Sequence, residues 1–395
     1  MKWETVRLGD IAEFSNGLNF DKSAYSNGIK LIGVSNFGNR FSPDFSELSE
    51  VSAEVVREAD LLQDGDIVFV RSNGNKELVG RCMLIAEAIE TVTYSGFVIR
   101  CRLHDQNKYD PVYFTYHFKN KTFRQAMAGT AVGANIQNLS QGRLSSYTAV
   151  IPDIDSQHRI AGVLSAYDDL IENNQKQIKL LEDAAQRLYK EWFIDLRFPG
   201  HESTPIHNGI PEGWERKSLG QIADVVMGQS PKSEYYNSEK AGLPFHQGVG
   251  SYGNRFVVDD IFSTSFTRIA AAGSILFSVR APVGRLNITR NKIVIGRGIA
   301  AMNHKESMQS LLFYMLKERF FKDNLVGNGS IFASISKDEL LGQAFIVPAP
   351  SIARQYNDIA SAIDKKIEAS DEEILELTEA RDRLLPKLMS GEIEV

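Results

Sequence analysis

Cysteine is almost missing from this chain. Cys82 and Cys101 are the only two in 395 residues. Both lie in apolar, strand-like segments, so they read as reduced core residues and exclude a disulfide framework. Long apolar runs are missing too. Nothing approaches the roughly 20 residues of a membrane span, and the charged N-terminus has no signal-peptide pattern. No membrane partner is expected, and a cytoplasmic location fits best. The histidines are scattered without the spacing of a metal site. No Gly-Lys dipeptide occurs, which removes a Walker A loop, and no Pro-Pro dipeptide, which removes an Asn-Pro-Pro-Tyr aminomethylating site. A G-x-S-x-G elbow and an H-E-x-x-H zinc pair are absent as well. The chain reads as non-catalytic by itself, with no cofactor and no metal of its own.

What the chain does have is a long helical pattern at its centre. From Asp155 to Phe193, residues Ile160, Leu164, Tyr167, Ile171, Ile178, Leu181, Ala185, Leu188 and Trp192 fall at alternating spacings of four and three. Only Asn174 interrupts this seam with a polar side chain. A stripe of this kind favours coiling around a partner helix. Asp155 or Ser156 can cap its start, and Pro199-Gly200 stops it. At 1.5 Å per residue it should span roughly 55–60 Å.

The C-terminus carries a copy of it. At an offset of 196, Asp168, Ile171, Glu172, Ile178, Leu181 and Leu188 recur as Asp364, Ile367, Glu368, Ile374, Leu377 and Leu384. Ser370 stands where Asn174 stood. Two helices with one pattern most simply pair, with Ile171, Asn174, Ile178, Leu181 and Leu188 in one seam and Ile367, Ser370, Ile374, Leu377 and Leu384 in the other. The alternative is two surface helices, each on its own domain. Charged residues nearly everywhere else on both helices argue against it.

The flanking segments repeat as well. Trp3-Glu4, Leu8-Gly9 and Ile11-Ala12 recur as Trp214-Glu215, Leu219-Gly220 and Ile222-Ala223. Gly38-Asn39-Arg40-Phe41 recurs as Gly253-Asn254-Arg255-Phe256, Arg71 matches Arg280, and Gly80-Arg81 matches Gly284-Arg285. Ile151-Pro152 matches Val347-Pro348 at the entry to each helix. The chain thus divides into a globule (1–152), a central helix (153–198), a linker (199–213), a second globule (214–350) and a C-terminal helix (351–395), with a period of roughly 200 residues. The expected fold is α+β, two mixed α/β globules joined by two long helices in an antiparallel coiled coil with a pseudo-two-fold repeat. If the halves are equivalent, Trp3 should sit near the end of the second helix, as Trp214 follows the end of the first. In the first globule Lys30–Val34, Asp66–Val70, Arg81–Ile85 and Phe97–Arg102 read as strands, and Asp110-Pro111 opens a helix ending near Gly129.

The net charge of −6 looks wrong for a nucleic-acid binder until it is divided. The two helical segments, 153–196 and 351–395, hold all the excess acid, and residues 197–350 carry an excess of base. Local patches decide nucleic-acid affinity, not the total.

This order of parts resembles the specificity (S) subunit of type I restriction–modification systems over essentially the whole chain. The resemblance rests on the repeat order and on Ile210-Pro211-Glu212-Gly213-Trp214-Glu215 at the start of the second half. Leu188-Tyr189-Lys190-Glu191-Trp192-Phe193 ends the central helix in that family's manner, and Leu384-Leu385-Pro386-Lys387-Leu388-Met389-Ser390-Gly391-Glu392-Ile393 closes the chain. The resemblance implies target-recognition domains that each read one half of a bipartite site on double-stranded DNA. It implies helices that set the spacer and dock two DNA-methyltransferase (modification) subunits, joined by motor-nuclease (restriction) subunits in a complex serving phage defence. S-adenosylmethionine, and ATP with Mg, would belong to those partners, which methylate adenine.

Candidate reading residues come from three matched pairs of loops. The first holds Asn36, Asn39 and Arg40, against Ser251, Tyr252, Asn254 and Arg255. The second holds Arg71, Asn73, Asn75 and Lys76, against Arg280 and Arg285. The third holds Asn135 and Gln137, against Asn328 and Ser330. Arg suits guanine O6/N7, Asn suits adenine N6/N7, and Lys suits phosphate. The plainer reading is that turns simply use Gly, Asn and Ser. Halves that read different sequences should differ at readers, which favours Asn73, Asn75 and Lys76 over the shared Arg71. Gly248-Val249-Gly250-Ser251-Tyr252-Gly253 fits the dinucleotide fingerprint, but Ser35 replaces its middle glycine in the first half and no βαβ unit follows. A stand-alone DNA-binding regulator or scaffold with the same body is the alternative, and an enzyme in its own right is a third.

Overall fold

The computed structural model describes residues 2–38, 40–73, 75, 78–86, 91–127, 137–320 and 334–395. The chain forms two compact units, and the division cuts through both long helices rather than at their ends. One unit holds Met1–Asn174 with Glu372–Val395, the other Gln175–Asp371.

In the first unit four strands form an antiparallel sheet in the order Ala12–Asn16, Val98–Leu103, Ile67–Val70, Cys82–Leu84. Its centre is a continuous apolar run, since Ile67, Val68, Phe69 and Val70 are all fully buried. That burial follows from cover on both faces. A three-stranded sheet of Ser49–Val51, Tyr25–Ile32 and Val92–Tyr94 lies on one side. The helix Pro111–Lys119 lies on the other, where Phe69 meets Phe118 at 5.1 Å. Asp110 caps that helix by accepting the Val112 N–H, and Pro111 occupies its first turn. The expected single helix to Gly129 is two, because Asn120 turns extended between Lys119 and a second helix, Lys121–Met127.

The second unit repeats the plan by itself. Ala223–Met227, Ile299–His304, Ile275–Ser278 and Leu286–Ile288 form a sheet of the same order and sense, and Phe277 meets Phe320 of the helix Gln309–Phe320 at 4.9 Å. Register agrees to the residue. Glu4 pairs with Ile151 in one unit and Glu215 with Val347 in the other, each pair tying the start of its half to the strand that enters a long helix. The segment read as a linker contains a small hairpin, Ile206–His207 on Ile210–Pro211, closed by Asn208-Gly209.

The long helices are Ile154–Phe193 and Pro350–Ser390. Asp153 caps the first, not Asp155 or Ser156. Its carboxylate accepts the Ser156 N–H (3.0 Å) and hydroxyl (2.8 Å), and its other oxygen takes the Lys2 N–H at 2.9 Å. Within the first unit the helices run antiparallel, with Arg381 on Asp168 and Arg159 on the Val395 carbonyl. Within the second they do so again, with the Tyr356 hydroxyl on the Ala185 carbonyl at 3.1 Å. The seam residues Ile171, Asn174, Ile367 and Ser370 are buried, while Ile178, Leu181, Leu188, Ile374, Leu377 and Leu384 are half-buried. Trp3 does lie at the end of the second helix. Gly391 turns there with φ +75°, and a Cβ on it would stand 2.7 Å from the indole. Trp214 packs equivalently on Phe193 and Phe198, just past the end of the first.

Candidate nucleic-acid interface

The strands of each central sheet place the loops named from the sequence. In the first unit Asn36 uses its side-chain oxygen to accept the Gly33 N–H (2.8 Å), which closes its own turn. Arg40 is exposed and pairs with Asp44 at 2.8 Å. Arg71 donates to the Gly96 carbonyl at 3.0 Å and is half-buried. Asn73 accepts the Asn75 N–H at 2.7 Å, and its backbone pairs with Gln137, so two of the three loops meet as a short antiparallel ladder. Asn75 is exposed. Asn39, Lys76 and Asn135 lie outside the described residues, as do Asn328 and Ser330.

In the second unit the matched loop behaves otherwise. Arg255 is 4% exposed. It pairs with Asp364 at 2.5 Å and Glu182 at 3.0 Å, over the Phe313 ring at 4.3 Å. Burial opposes its charge, but Asp364, Tyr314 and Glu182 hold its pKa above the ordinary value. It is therefore structural, and its place among the readers is corrected. A desolvated guanidinium held by two carboxylates is not available to a base. The first unit explains why Arg40 is spared this task. There Tyr116 donates to Asp168 at 2.5 Å as Tyr314 donates to Asp364 at 2.9 Å, but the cation on Asp168 is Arg381, from the other long helix.

Tyr252 is corrected too. Its hydroxyl is enclosed without a partner among the described residues, burial raises its pKa, and its ring packs on the core of Leu276 and Ile293. Ser251 is taken up by His246, a residue that sequence reasoning missed. The ring is fully buried between the Ser251 hydroxyl at Nδ1 (2.8 Å) and Asp259 at Nε2 (2.9 Å). A carboxylate only accepts, so Nε2 carries the proton and Nδ1 accepts from Ser251. Burial lowers the histidine pKa while Asp259 opposes that shift. These are the residue types of a nucleophilic relay, but the buried ring and the hydroxyl inside its own turn make them a brace for the loop. Asn254, Arg280 and Arg285 are exposed.

The Arg71–Arg280 match is off by one residue. Arg71 N–H donates to the Phe97 carbonyl as Val279 N–H donates to the Gly298 carbonyl, so Val279 stands where Arg71 does and Arg280 where Ser72 does. Along a strand one residue reverses the face presented.

A family profile described as "Type I restriction modification DNA specificity domain" matches residues 1–183 and again 211–379. The chain belongs to the type I restriction–modification DNA specificity family. Its two matched stretches are the two halves of the repeat. This specificity chain is 31% identical, over its whole length and 94% of the relative, to the specificity subunit assigned to the MjaX type I restriction enzyme of Methanocaldococcus jannaschii. It is 29% identical over 72% of its length, and 69% of the relative's, to the MjaIX specificity subunit of the same organism. Its fold is similar to the crystal structure of a type I restriction–modification S subunit from M. genitalium, with a TM-score of 0.59 at 16% identity, covering 98% of this chain and 96% of that one. Among the described residues no group of His, Cys, Asp and Glu could hold a metal, and no helix is long and apolar enough to cross a membrane.

Proposed function

We propose that this chain is the non-catalytic specificity subunit of a type I restriction–modification complex, each globule reading one half of a bipartite DNA target. The observation that carries this is the repeat itself. Two sheets of one topology and register feed loops that differ, with Arg280 in one half where the other has Ser72, and with Arg40 exposed in one half where Arg255 is buried in the other. A shared scaffold with divergent loops is what two readings of different sequence need. The long helices are acidic apart from their seam and suit protein rather than DNA. We assign them to setting the spacer and docking two modification subunits, with restriction subunits joining the assembly. S-adenosylmethionine, and ATP with Mg, are assigned to those partners.

Co-expression with the modification subunit, followed by mapping of methylated adenines in the host genome, tests this. Two short motifs at a fixed separation are expected, together with a complex that survives purification. A contiguous motif would overturn the bipartite reading. DNA binding without any methyltransferase in the complex would make the chain a stand-alone regulator.

A further inference from the structure

We propose that Gln247 and Arg280 form the base-reading pair of the second globule; this rests on the reading that the chain recognises DNA. Both stand where the two halves differ. Ser95 N–H donates to the Ile32 carbonyl, and Gly296 N–H donates to the His246 carbonyl at 2.8 Å, so Ile32 and His246 are equivalent. In the first half Gly33 follows at once and opens the turn Val34–Asn36. In the second half Gly248 opens the matching turn, Val249–Ser251. Gln247 is therefore an inserted residue. Arg280, by the register given above, replaces Ser72.

Gln247 is held firmly for a residue in a loop. Its carbonyl accepts the Gly298 N–H at 3.0 Å. Its backbone lies so close to the next segment that a Cβ on Gly296 would stand 2.9 Å from its Cα, and one on Gly298 would collide with its carbonyl oxygen. On one side is His246, fixed between Ser251 and Asp259; on the other begins the turn that Ser251 braces. The side chain is nevertheless exposed. A polar side chain on a backbone fixed from several sides is preorganised for binding.

The surroundings fit the edge of a base. Gln247 and Arg280 line one cleft of about 150 Å³, whose other walls are Gly248, Val249, Ser278, Ala281 and Gly298, all but Val249 very small. Small residues leave room for a planar edge to approach both. A glutamine amide pairs with adenine N6 and N7, and a guanidinium with guanine O6 and N7. The ligand is thus the major-groove edge of the half-site contacted by the second globule.

The test uses the chain in complex with its modification subunit. Gln247→Ala and Arg280→Ala are compared with wild type by competition binding on duplexes altered one position at a time in each half-site, with methylation mapping in parallel. Each variant should lose roughly 5- to 150-fold discrimination at a position within one half-site, the fold-change of a lost bidentate contact, and leave the other half-site unchanged. Arg280→Lys should retain affinity yet lose the discrimination, because lysine keeps the charge without the fork. Equal weakening on all sequences would make the pair phosphate contacts and overturn the inference, as would unchanged motifs in both variants. If wild type itself gives no bipartite motif, the reading beneath the inference is what fails. Both side chains are exposed, so melting temperatures unchanged from wild type confirm that folding is not what changed.

Discussion

Arg255 and its neighbour Asn254 occupy adjacent positions in one loop and should behave oppositely. Arg255 neutralises Asp364 and Glu182, which are themselves half-buried, so Arg255→Ala removes the cation from both carboxylates and should cost about 1.5–3 kcal/mol. Asn254→Ala, on an exposed side chain, should leave stability within about 0.5 kcal/mol. Urea denaturation of both separates scaffold from surface, and comparable losses would refute the division. From sequence the two were indistinguishable. Arginine in a Gly-Asn-Arg-Phe turn fits a reader or a brace equally, and the deciding carboxylates lie 73 and 109 residues away. His117 makes the complementary case for pH. It is buried among Tyr113, Phe118, Phe123 and Tyr147 with neither ring nitrogen bonded among the described residues, and burial lowers its pKa to about 4. The unfolded chain takes up that proton near 6.5, so between the two values the unfolded state binds more protons and stability falls as pH falls. The loss grows from about pH 6.5 down to about 4 and is constant below, amounting to roughly 3 kcal/mol. His117→Phe should lack it. Denaturation midpoints at pH 7 and pH 4.5 check this, and parallel losses in both proteins would remove His117 as the cause.

Among the elements, the long helices were the most legible, because a seam kept over 40 residues outweighs local noise. The strands around Phe69 and Cys101 were legible for a related reason, being apolar runs bounded by turn residues. What escaped was punctuation. Asn120 breaks a helix that propensity would continue, and three nearby residues could each have capped the first long helix. The Lys2 N–H selects Asp153, a contact spanning 151 residues that no local pattern reports. That cap carries a pH signature. Hydrogen bonds from the Lys2 N–H and then from Ser156 depress the Asp153 pKa from 3.8 to about 2. A depressed carboxylate contributes stability that is fully present above the unfolded value and lost as pH falls through the folded one. Asp153→Asn should therefore melt below wild type at pH 6, with the gap closing between about pH 4 and pH 2. A gap independent of pH would mean that the carboxylate charge is not what holds the cap.

At the scale of the whole molecule, the division into units falls at Asn174/Gln175 and Asp371/Glu372, inside both helices. Each helix therefore contributes to two cores, and its phase matters to both. Inserting residues at or within one residue of those two points lengthens the helices and leaves the packing within each unit largely intact. A heptad adds roughly 10 Å of rise with only about 20° of drift, so the seam keeps its face. Four residues instead shift the stripe by about 40° relative to a straight helix and disturb the pairing. DNA advances about 3.4 Å per base pair along each strand, so matched seven-residue insertions after Gln175 and Asp371 should preserve both half-site sequences while widening the spacer by at most ~3 base pairs. Matched four-residue insertions should lower activity without giving a new discrete spacing. Methylation mapping in a host carrying each variant reads the outcome directly. Full methylation at the original spacing by the heptad variant would show that the helices do not set the distance, and the assignment of spacer length to them would fall.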